Sequence, residues 1–280
     1  MKKSARASEK LLRLAVVGCG AIGSEAVRAL VKKPLSRAYR LAGLCDLKLE
    51  RARSLARLFH YPVPIHSDWR NVLDDADLVL ESASGEVAGP LAEAVLARGG
   101  DVLVLSVGGL AGREGVLRRL AEKGGHLYIP SGAIGGLDAA QALALNGLKK
   151  VTLITRKPPL GFRGSPGAAR LGLDLGRLKK EVRLFRGPAK EAVRLFPQNV
   201  NVASLLEWGV AAAAPIHVEI YATPGLRTNT HEIILEGRAG RIRIQVNNFP
   251  SQANPKTSRL ASLSVIAMLR KISANVRIGT

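Results

Sequence analysis

An apolar run that ends in closely spaced glycines, followed at once by a helix pattern, most constrains what this chain can fold into. The run LRLAVVG ends at Gly18, Gly20 follows two residues later, and Gly23 lies within the helix-like segment that begins with AIGSEAVRAL at Ala21. Glycines permit a tight turn and let neighbouring backbone approach closely. A strand that turns into a helix in this way is typical of the first unit of an open α/β sheet.

The same alternation continues from Leu12 to about Ser131. Strand-like runs such as YRLAGLCD, ADLVLESA and DVLVLSVG alternate with amphipathic helices. The strands are rich in Val and Leu on both faces, which indicates a sheet that is covered on both sides. Helices between the strands indicate parallel pairing with right-handed crossovers. We therefore predict a doubly wound parallel (Rossmann) sheet in a first domain of residues 1–131.

The pattern changes after Gly132, which predicts a second, α+β domain over residues 132–253. Helical segments and three strand-like runs follow one another there without βαβ alternation. A Pro/Gly-rich stretch at 159–176 indicates a loop, and residues 238–240 indicate a hairpin connection. The last segment, 254–280, contains a helix pattern. We expect this helix to return toward the first domain.

The glycine turn has the spacing G-x-G-x-x-G of a dinucleotide-binding fingerprint. The helix start would offer free N–H groups to a pyrophosphate. The next strand ends in Asp46, 28 residues after Gly18, and its carboxylate can accept hydrogen bonds from ribose hydroxyls. Asp46 favours NAD, whereas Lys48 and Arg51 leave NADP open. The predicted cofactor-binding residues of this part are Gly18, Gly20, Ala21, Ile22, Gly23 and Asp46.

Small residues follow two further strands, in ESASGEVAG and SVGGLAG. At the carboxyl end of a strand they would let the nicotinamide ribose approach. We therefore predict that Ser82 and Ala83 also contact the cofactor, although plain loops would have the same composition.

The chain carries a net charge of +20, but its basic residues are scattered and only 4% of its residues are aromatic. Stacking platforms for bases are therefore scarce, and no nucleic-acid-binding motif is evident. We expect no nucleic-acid partner; the positive field would instead attract small anions. No apolar run is long enough to span a membrane, so we expect no membrane partner.

The segment VVGC resembles a lipoprotein cleavage site, but Arg13 interrupts the apolar stretch before it and a helix pattern follows Cys19. Two cysteines do not make a disulfide framework. We therefore expect a cytoplasmic protein. With two cysteines and no close pair of histidines, we expect no metal site.

Four motifs in order resemble the L-aspartate dehydrogenase family: YIPSGAIGGLDA, FPQNVNVAS, NTHEIIL and NPKTSRLASLSVIAMLR. The resemblance runs from Leu12 to Arg270. It implies that Ala133 and Asn201 contact the cofactor and that His231 is catalytic. It further implies oxidative deamination of L-aspartate by NAD(P), giving oxaloacetate and ammonia through iminoaspartate, with a role in NAD biosynthesis. We also expect a homodimer.

Residue chemistry adds expectations about the substrate. Imidazole titrates near neutrality, so activity should fall below a pKa of about 6 to 7 of His231. The two carboxylates of aspartate require cations or N–H groups, and we assign them to Lys256, Thr257 and Arg156. For the two cations, Lys256 and Arg156, plain surface charge is the alternative. The alternative functions are an oxidoreductase of the homoserine dehydrogenase or dihydrodipicolinate reductase type and a non-catalytic NAD-binding regulator.

Overall fold

The computed structural model describes residues 11–197, 201–210, 213–251 and 257–279. Its first sheet has six parallel strands in the order β3-β2-β1-β4-β5-β6. The strands are β1 Leu12–Val17, β2 Tyr39–Cys45, β3 Ile65–His66, β4 Leu78–Glu81, β5 Asp101–Val104 and β6 Leu127–Tyr128. The order reverses between β1 and β4, where a doubly wound sheet opens a crevice for ligands.

Helices cover both faces of this sheet, as its apolar strands predict. The helices are α1 Ala21–Leu30, α2 Leu49–Ala56, α3 Gly85–Ala97 and α4 Glu114–Ala121. One buried cluster joins Leu14 and Leu44 to Val27 of α1, and another joins Val17 and Val102 to Leu91 of α3. The predicted doubly wound fold is confirmed.

The second sheet has five strands in the order β11-β10-β7-β9-β8 and is mixed, because β7 and β9 are parallel whereas the other pairs are antiparallel. Its elements are α5 Leu137–Ala144, β7 Leu148–Lys157, α6 Pro166–Arg170, β8 Val182–Pro188, α7 Ala189–Leu195, α8 Asn201–Val210, β9 Ile216–Ala222, β10 Asn229–Gly237 and β11 Gly240–Asn248. Residues of the sheet and of α5–α8 share one apolar core. This is the α+β unit that the sequence predicts.

Two local details differ from the sequence-based expectation. Strand β8 was not predicted, because only two of its seven residues are buried and two of the others are arginines at the sheet edge. The stretch 159–176, expected to be a loop, contains a short 3-10 helix at Pro159–Phe162 and the five-residue α6. The β10–β11 hairpin is present, and its terminal pair is Gly237 and Gly240.

The last helix, α9 Arg259–Ser273, packs against α1 of the first sheet. Val265 and Leu269 are fully buried in the cluster that contains Leu30. The hydroxyl of Tyr39 donates a 2.7 Å hydrogen bond to the carbonyl oxygen of Leu269. The chain thus crosses to the second sheet and comes back, while the domain boundaries at 131/132 and 253/254 stay a prediction. No helix in the described part of the chain is long and apolar enough to cross a bilayer.

The glycine turn between β1 and α1 is set by backbone contacts. Gly18 has a φ of +94°, which L side chains rarely adopt, and a Cβ there would lie 2.6 Å from the backbone of Ser82 and Ala83. A Cβ on Gly23 would lie 1.9 Å from the carbonyl oxygen of Gly18. By contrast, a Cβ on Gly20 would meet nothing within 4 Å. Gly18 and Gly23 are therefore required by the fold, whereas Gly20 borders open space.

We expect Gly23→Ala to lower the free energy of unfolding by about 1–3 kcal/mol, because the clash is with backbone, which cannot rotate away. Gly20→Ala, at the N-cap of α1, is the matched control; its Cβ meets open space, so it should cost less, about 0.5 kcal/mol from the poorer cap. Urea denaturation followed by circular dichroism measures both. Equal stability of the two variants would contradict the contact between Gly23 and Gly18.

Candidate active site

A cavity of about 610 Å³ lies where the two sheets meet. The first domain contributes Ile22, the loop after β5 and the hinge around Gly132. The second domain contributes the end of β7, the start of α8 and the start of β10, and the beginning of α9 closes one side. The polar residues that line it are Lys157, Asn201, Asn229, His231, Thr257 and Ser258. The remaining lining residues are small or apolar, so a bound molecule would be held by few polar groups.

The turn at α1 has the features that a dinucleotide pyrophosphate requires. Helix α1 starts at Ala21 after Gly20, which has no side chain to cap the first N–H groups. Open space at Gly20 gives a phosphate access to these groups and to the positive end of the helix. Ile22, in the same turn, lines the cavity. These residues fit a dinucleotide cofactor.

Asp46 lies directly after β2, beside the glycine turn. Its carboxylate accepts hydrogen bonds from the backbone N–H of Cys19 and of Lys48, both at 2.7 Å. These two bonds fix the carboxylate at the carboxyl edge of the sheet, and each oxygen keeps a lone pair for another donor. The position suits a ribose hydroxyl, as the sequence predicts.

Ser82 and Ala83 follow β4 and pack against the glycine turn. The Ser82 hydroxyl donates a 2.8 Å hydrogen bond to the carbonyl oxygen of Gly18. The Ala83 N–H donates to a carboxylate oxygen of Glu81 at 2.8 Å. Neither Ser82 nor Ala83 lines the 610 Å³ cavity. Their predicted contact with the cofactor stays a prediction.

Glu81, which sequence reasoning missed, holds two of these loops together. It is fully buried and accepts hydrogen bonds from the backbone N–H of Ala83, Ser84 and Ser106 and from the Ser106 hydroxyl. Burial raises the pKa of this carboxyl, and the hydrogen bonds oppose that rise. The signal in the sequence is an acid at the end of the apolar run ADLVLE.

Ala133 and Asn201 both line the cavity, on its two sides. The carbonyl oxygen of Ala133 accepts a 2.9 Å hydrogen bond from the Asn248 side chain, which in turn accepts one from the Ser258 hydroxyl. The Asn201 side chain accepts a hydrogen bond from the backbone N–H of Gly108 at 3.2 Å. The structure thus brings both residues to the cavity from different elements.

His231 lies on β10 with its side chain on the cavity side. It pairs across the sheet with Thr155 of β7, and the Thr155 hydroxyl lies 3.0 Å from its Nδ1. Within the described ranges no hydrogen bond joins the other ring nitrogen, Nε2, to a neighbouring residue, which suits contact with a bound molecule. Burial, with a smaller contribution from the nearby positive charge of Lys157, lowers the pKa of His231 to about 3. The expected pKa of 6 to 7 is therefore wrong, because free imidazole is solvated whereas this ring is enclosed.

Arg156 does not lie in the cavity, and this corrects its assignment to the substrate. Successive side chains of a strand point to opposite faces, so the side chains of Arg156 and Lys157 of β7 lie on opposite faces of the sheet. Arg156 lies on the outer face, where its guanidinium is 3.6 Å from Glu232 and 5.0 Å from the ring centre of Tyr221. Lys157 lines the cavity instead.

Of the other residues predicted to bind the substrate, Thr257 lines the cavity next to Ser258, the N-cap of α9. Lys256 lies outside the described residues. Within the described ranges no group of three His, Cys, Asp or Glu side chains is placed to hold a metal ion.

Comparison with known proteins identifies both halves of the chain. Residues 138–272 match the family described as aspartate dehydrogenase, C-terminal, and residues 18–130 match the homoserine dehydrogenase NAD-binding domain. L-aspartate dehydrogenase of Methanosarcina barkeri is 40% identical over 96% of this chain and 100% of its own length. L-aspartate dehydrogenase 3 of Bordetella bronchiseptica is 37% identical over 98% of this chain and 99% of its own length.

A solved structure agrees with these sequence matches. The crystal structure of aspartate dehydrogenase from Thermotoga maritima superimposes with a TM-score of 0.72 at 25% identity, over 96% of this chain and 100% of that chain. The chain has the glycine turn and the two-domain cavity, and its sequence matches curated L-aspartate dehydrogenases over nearly its full length. The chain therefore belongs to the L-aspartate dehydrogenase family.

Proposed function

We propose that this protein catalyses the NAD(P)-dependent oxidative deamination of L-aspartate to oxaloacetate and ammonia through iminoaspartate. The observation that carries the proposal is a neutral, buried histidine in a cavity that joins the dinucleotide-binding domain to the second domain. Identity of 40% over 96% of this chain to a protein named L-aspartate dehydrogenase supports the substrate.

The bound nicotinamide supplies the hydride acceptor for the substrate Cα. The protein's part is to hold this carbon against the cofactor. Residues of α1, the hinge and α8 line the cavity together with His231 of β10. Substrate and cofactor therefore meet between the two domains.

His231 is placed to act on protons in this reaction. Oxidation of an amine requires a neutral amino group, and hydrolysis of the imine requires an activated water. A neutral imidazole accepts a proton in both steps, and the Thr155 hydroxyl at Nδ1 fixes its orientation. Burial lowers the pKa of the ring, so at neutral pH the imidazole is neutral and can accept a proton.

A screen of amino acids with NAD and NADP, followed by the absorbance of the reduced cofactor, tests the activity. Turnover of L-aspartate well above that of other amino acids is expected. Preference for homoserine would favour the homoserine dehydrogenase alternative, and cofactor binding without turnover would favour a regulator.

We also infer a homodimer formed through the outer face of the second sheet, a cytoplasmic location and a role in NAD biosynthesis. The outer face is covered by no helix in the described part of the chain, and it carries paired charges such as Arg156 with Glu232. Both cysteines are buried and free, which suits a reducing compartment. The role in NAD biosynthesis rests on iminoaspartate as the product.

Asp46 should determine the choice of cofactor, because a carboxylate at the ribose repels a 2′-phosphate. We expect the wild type to use NAD at least as efficiently as NADP. Asp46→Ser should shift the ratio of kcat/KM values toward NADP by about tenfold, on the order of 1.4 kcal/mol. The control is Asp75→Ser, an exposed acid before β4 at the opposite edge of the sheet. A wild type that prefers NADP tenfold would refute the role of Asp46.

His231→Ala should reduce kcat for L-aspartate by roughly 10²–10⁴, the usual contribution of a general base. The affinity for NAD should change little, because His231 lies in the second domain. The control is His217→Ala, an exposed histidine on β9. Steady-state kinetics and calorimetric titration with NAD separate these effects.

The pH profile gives an independent check. Because the pKa of His231 is lowered to about 3, the wild-type kcat should show no acid limb centred at pH 6–7. Loss of activity through that range, abolished in His231→Gln, would show that the ring is solvated in the working enzyme.

A further inference from the structure

We propose that Asn229 binds a carboxylate of the substrate beside His231, by donating a hydrogen bond from its side-chain amide. The inference rests on the proposed function, because it adds a substrate-binding residue to the same cavity. The motif NTHEIIL contains Asn229, but the sequence analysis assigns a role only to the histidine of this motif.

The alternation of side chains along β10 places Asn229 on the same face as His231. Ile233 and Leu235 of this strand pack in the core of the second domain, and His231 and Asn229 precede them at alternate positions. Both His231 and Asn229 line the cavity. Two residues of a strand span about 6.6 Å, so one small ligand can contact both side chains.

The neighbouring strand holds Asn229 close to the hinge. Asn229 pairs directly with Asn248 of β11, and residues that pair in this way point to the same face of a sheet. The Asn248 side chain donates a hydrogen bond to the carbonyl oxygen of Ala133 and accepts one from the Ser258 hydroxyl, both at 2.9 Å. Asn229 therefore lies between His231 and the residues that join the two domains.

The side chain of Asn229 forms no hydrogen bond within the part of the chain that the structure describes. Only 7% of the residue's surface is exposed. By contrast, the next residue, Thr230, donates a 3.0 Å hydrogen bond to the side chain of Asn247. A buried amide without hydrogen bonds costs free energy, and nearly all buried polar groups of folded proteins are paired. Because this amide borders the cavity, a bound ligand can supply the partner.

The chemistry of the cavity indicates a carboxylate as that partner. An asparagine side chain has two N–H donors and no charge of its own. Among the described residues that line the cavity there is no aspartate or glutamate, so a ligand carboxylate meets no neighbouring lining anion. Hydrogen bonds to an ionised acceptor are about twice as strong as those between neutral groups. The amide nitrogen rather than the amide oxygen therefore faces a dicarboxylic substrate.

Binding of succinate tests the proposal without turnover, because succinate has two carboxylates and no amino group to oxidise. Calorimetric titration of the NAD-saturated wild type gives the reference affinity at neutral pH. N229D keeps the size of the side chain but replaces the donor with a carboxylate, and it should weaken succinate binding by about 100-fold or more through like-charge repulsion. N229L removes the donor and should weaken it about tenfold or more, as expected for a lost hydrogen bond to a charged group.

The matched control is N247D, the same substitution on the neighbouring strand. Asn247 pairs with Thr230, so it lies one position along the sheet on the outer face, where it is exposed. N247D should leave the succinate affinity unchanged within about twofold. The affinity for NAD should also change by no more than about twofold in every variant, and circular dichroism checks the fold.

Steady-state kinetics give a second readout. The value of kcat/KM for L-aspartate should decrease from the wild type to N229L and further to N229D, whereas KM for NAD should stay nearly constant. A purely structural role of Asn229 would instead change the binding of both ligands together.

Equal succinate affinity of the wild type, N229D and N229L would overturn the assignment. Weaker NAD binding by N229D with unchanged succinate binding would also overturn it, because the amide would then contact the cofactor. An equal loss of succinate affinity in N229D and N247D would contradict the proposal as well, since it would reflect added negative charge alone. If N229D and N229L lose succinate affinity as expected but the wild type does not oxidise L-aspartate, the proposed function fails while the role of Asn229 is retained.

Discussion

The cofactor edge of the first domain depends on the hydrogen bonds that the buried carboxyl group of Glu81 accepts. A carboxyl group at this depth requires hydrogen-bond partners, and Glu81 accepts four hydrogen bonds from the segments that follow β4 and β5. Those segments include Ser82, whose backbone lies against Gly18. The position of the glycine turn is thereby coupled to the loops that border the cavity.

A second network connects this edge to the other domain. The Asn248 side chain, buried at the end of β11, bonds the hinge at Ala133 and the N-cap of α9 at Ser258. Helix α9 in turn packs on α1 through residues such as Val265. The cavity is therefore framed by elements that are distant in sequence but joined by hydrogen bonds, which explains how two separately folded sheets can present one site.

Much of the fold was predictable because it rests on local patterns. The strand–helix alternation before Ser131 and the glycine spacing at Gly18 gave the doubly wound sheet, and the comparisons confirm it. The site was harder to predict, because burial is a property of the folded chain. Free imidazole suggested a pKa near neutrality for His231, but enclosure lowers it to about 3. The alternation of side chains along a strand predicts that Arg156 and Lys157 point to opposite faces of the sheet. It does not predict which of the two faces borders the cavity. Glu81 was recognisable only as an acid in an apolar run.

The electrostatics of His231 and Lys157 connect substrate binding to proton transfer. The positive charge of Lys157 adds to burial in lowering the pKa of His231, so the imidazole is neutral but weakly basic. A substrate carboxylate bound in the cavity would offset part of that positive charge, which weakens one of the two causes of the lowered pKa and makes the imidazole a stronger base. An anionic substrate would therefore favour proton transfer to His231, so that specificity is expressed in kcat as well as in KM.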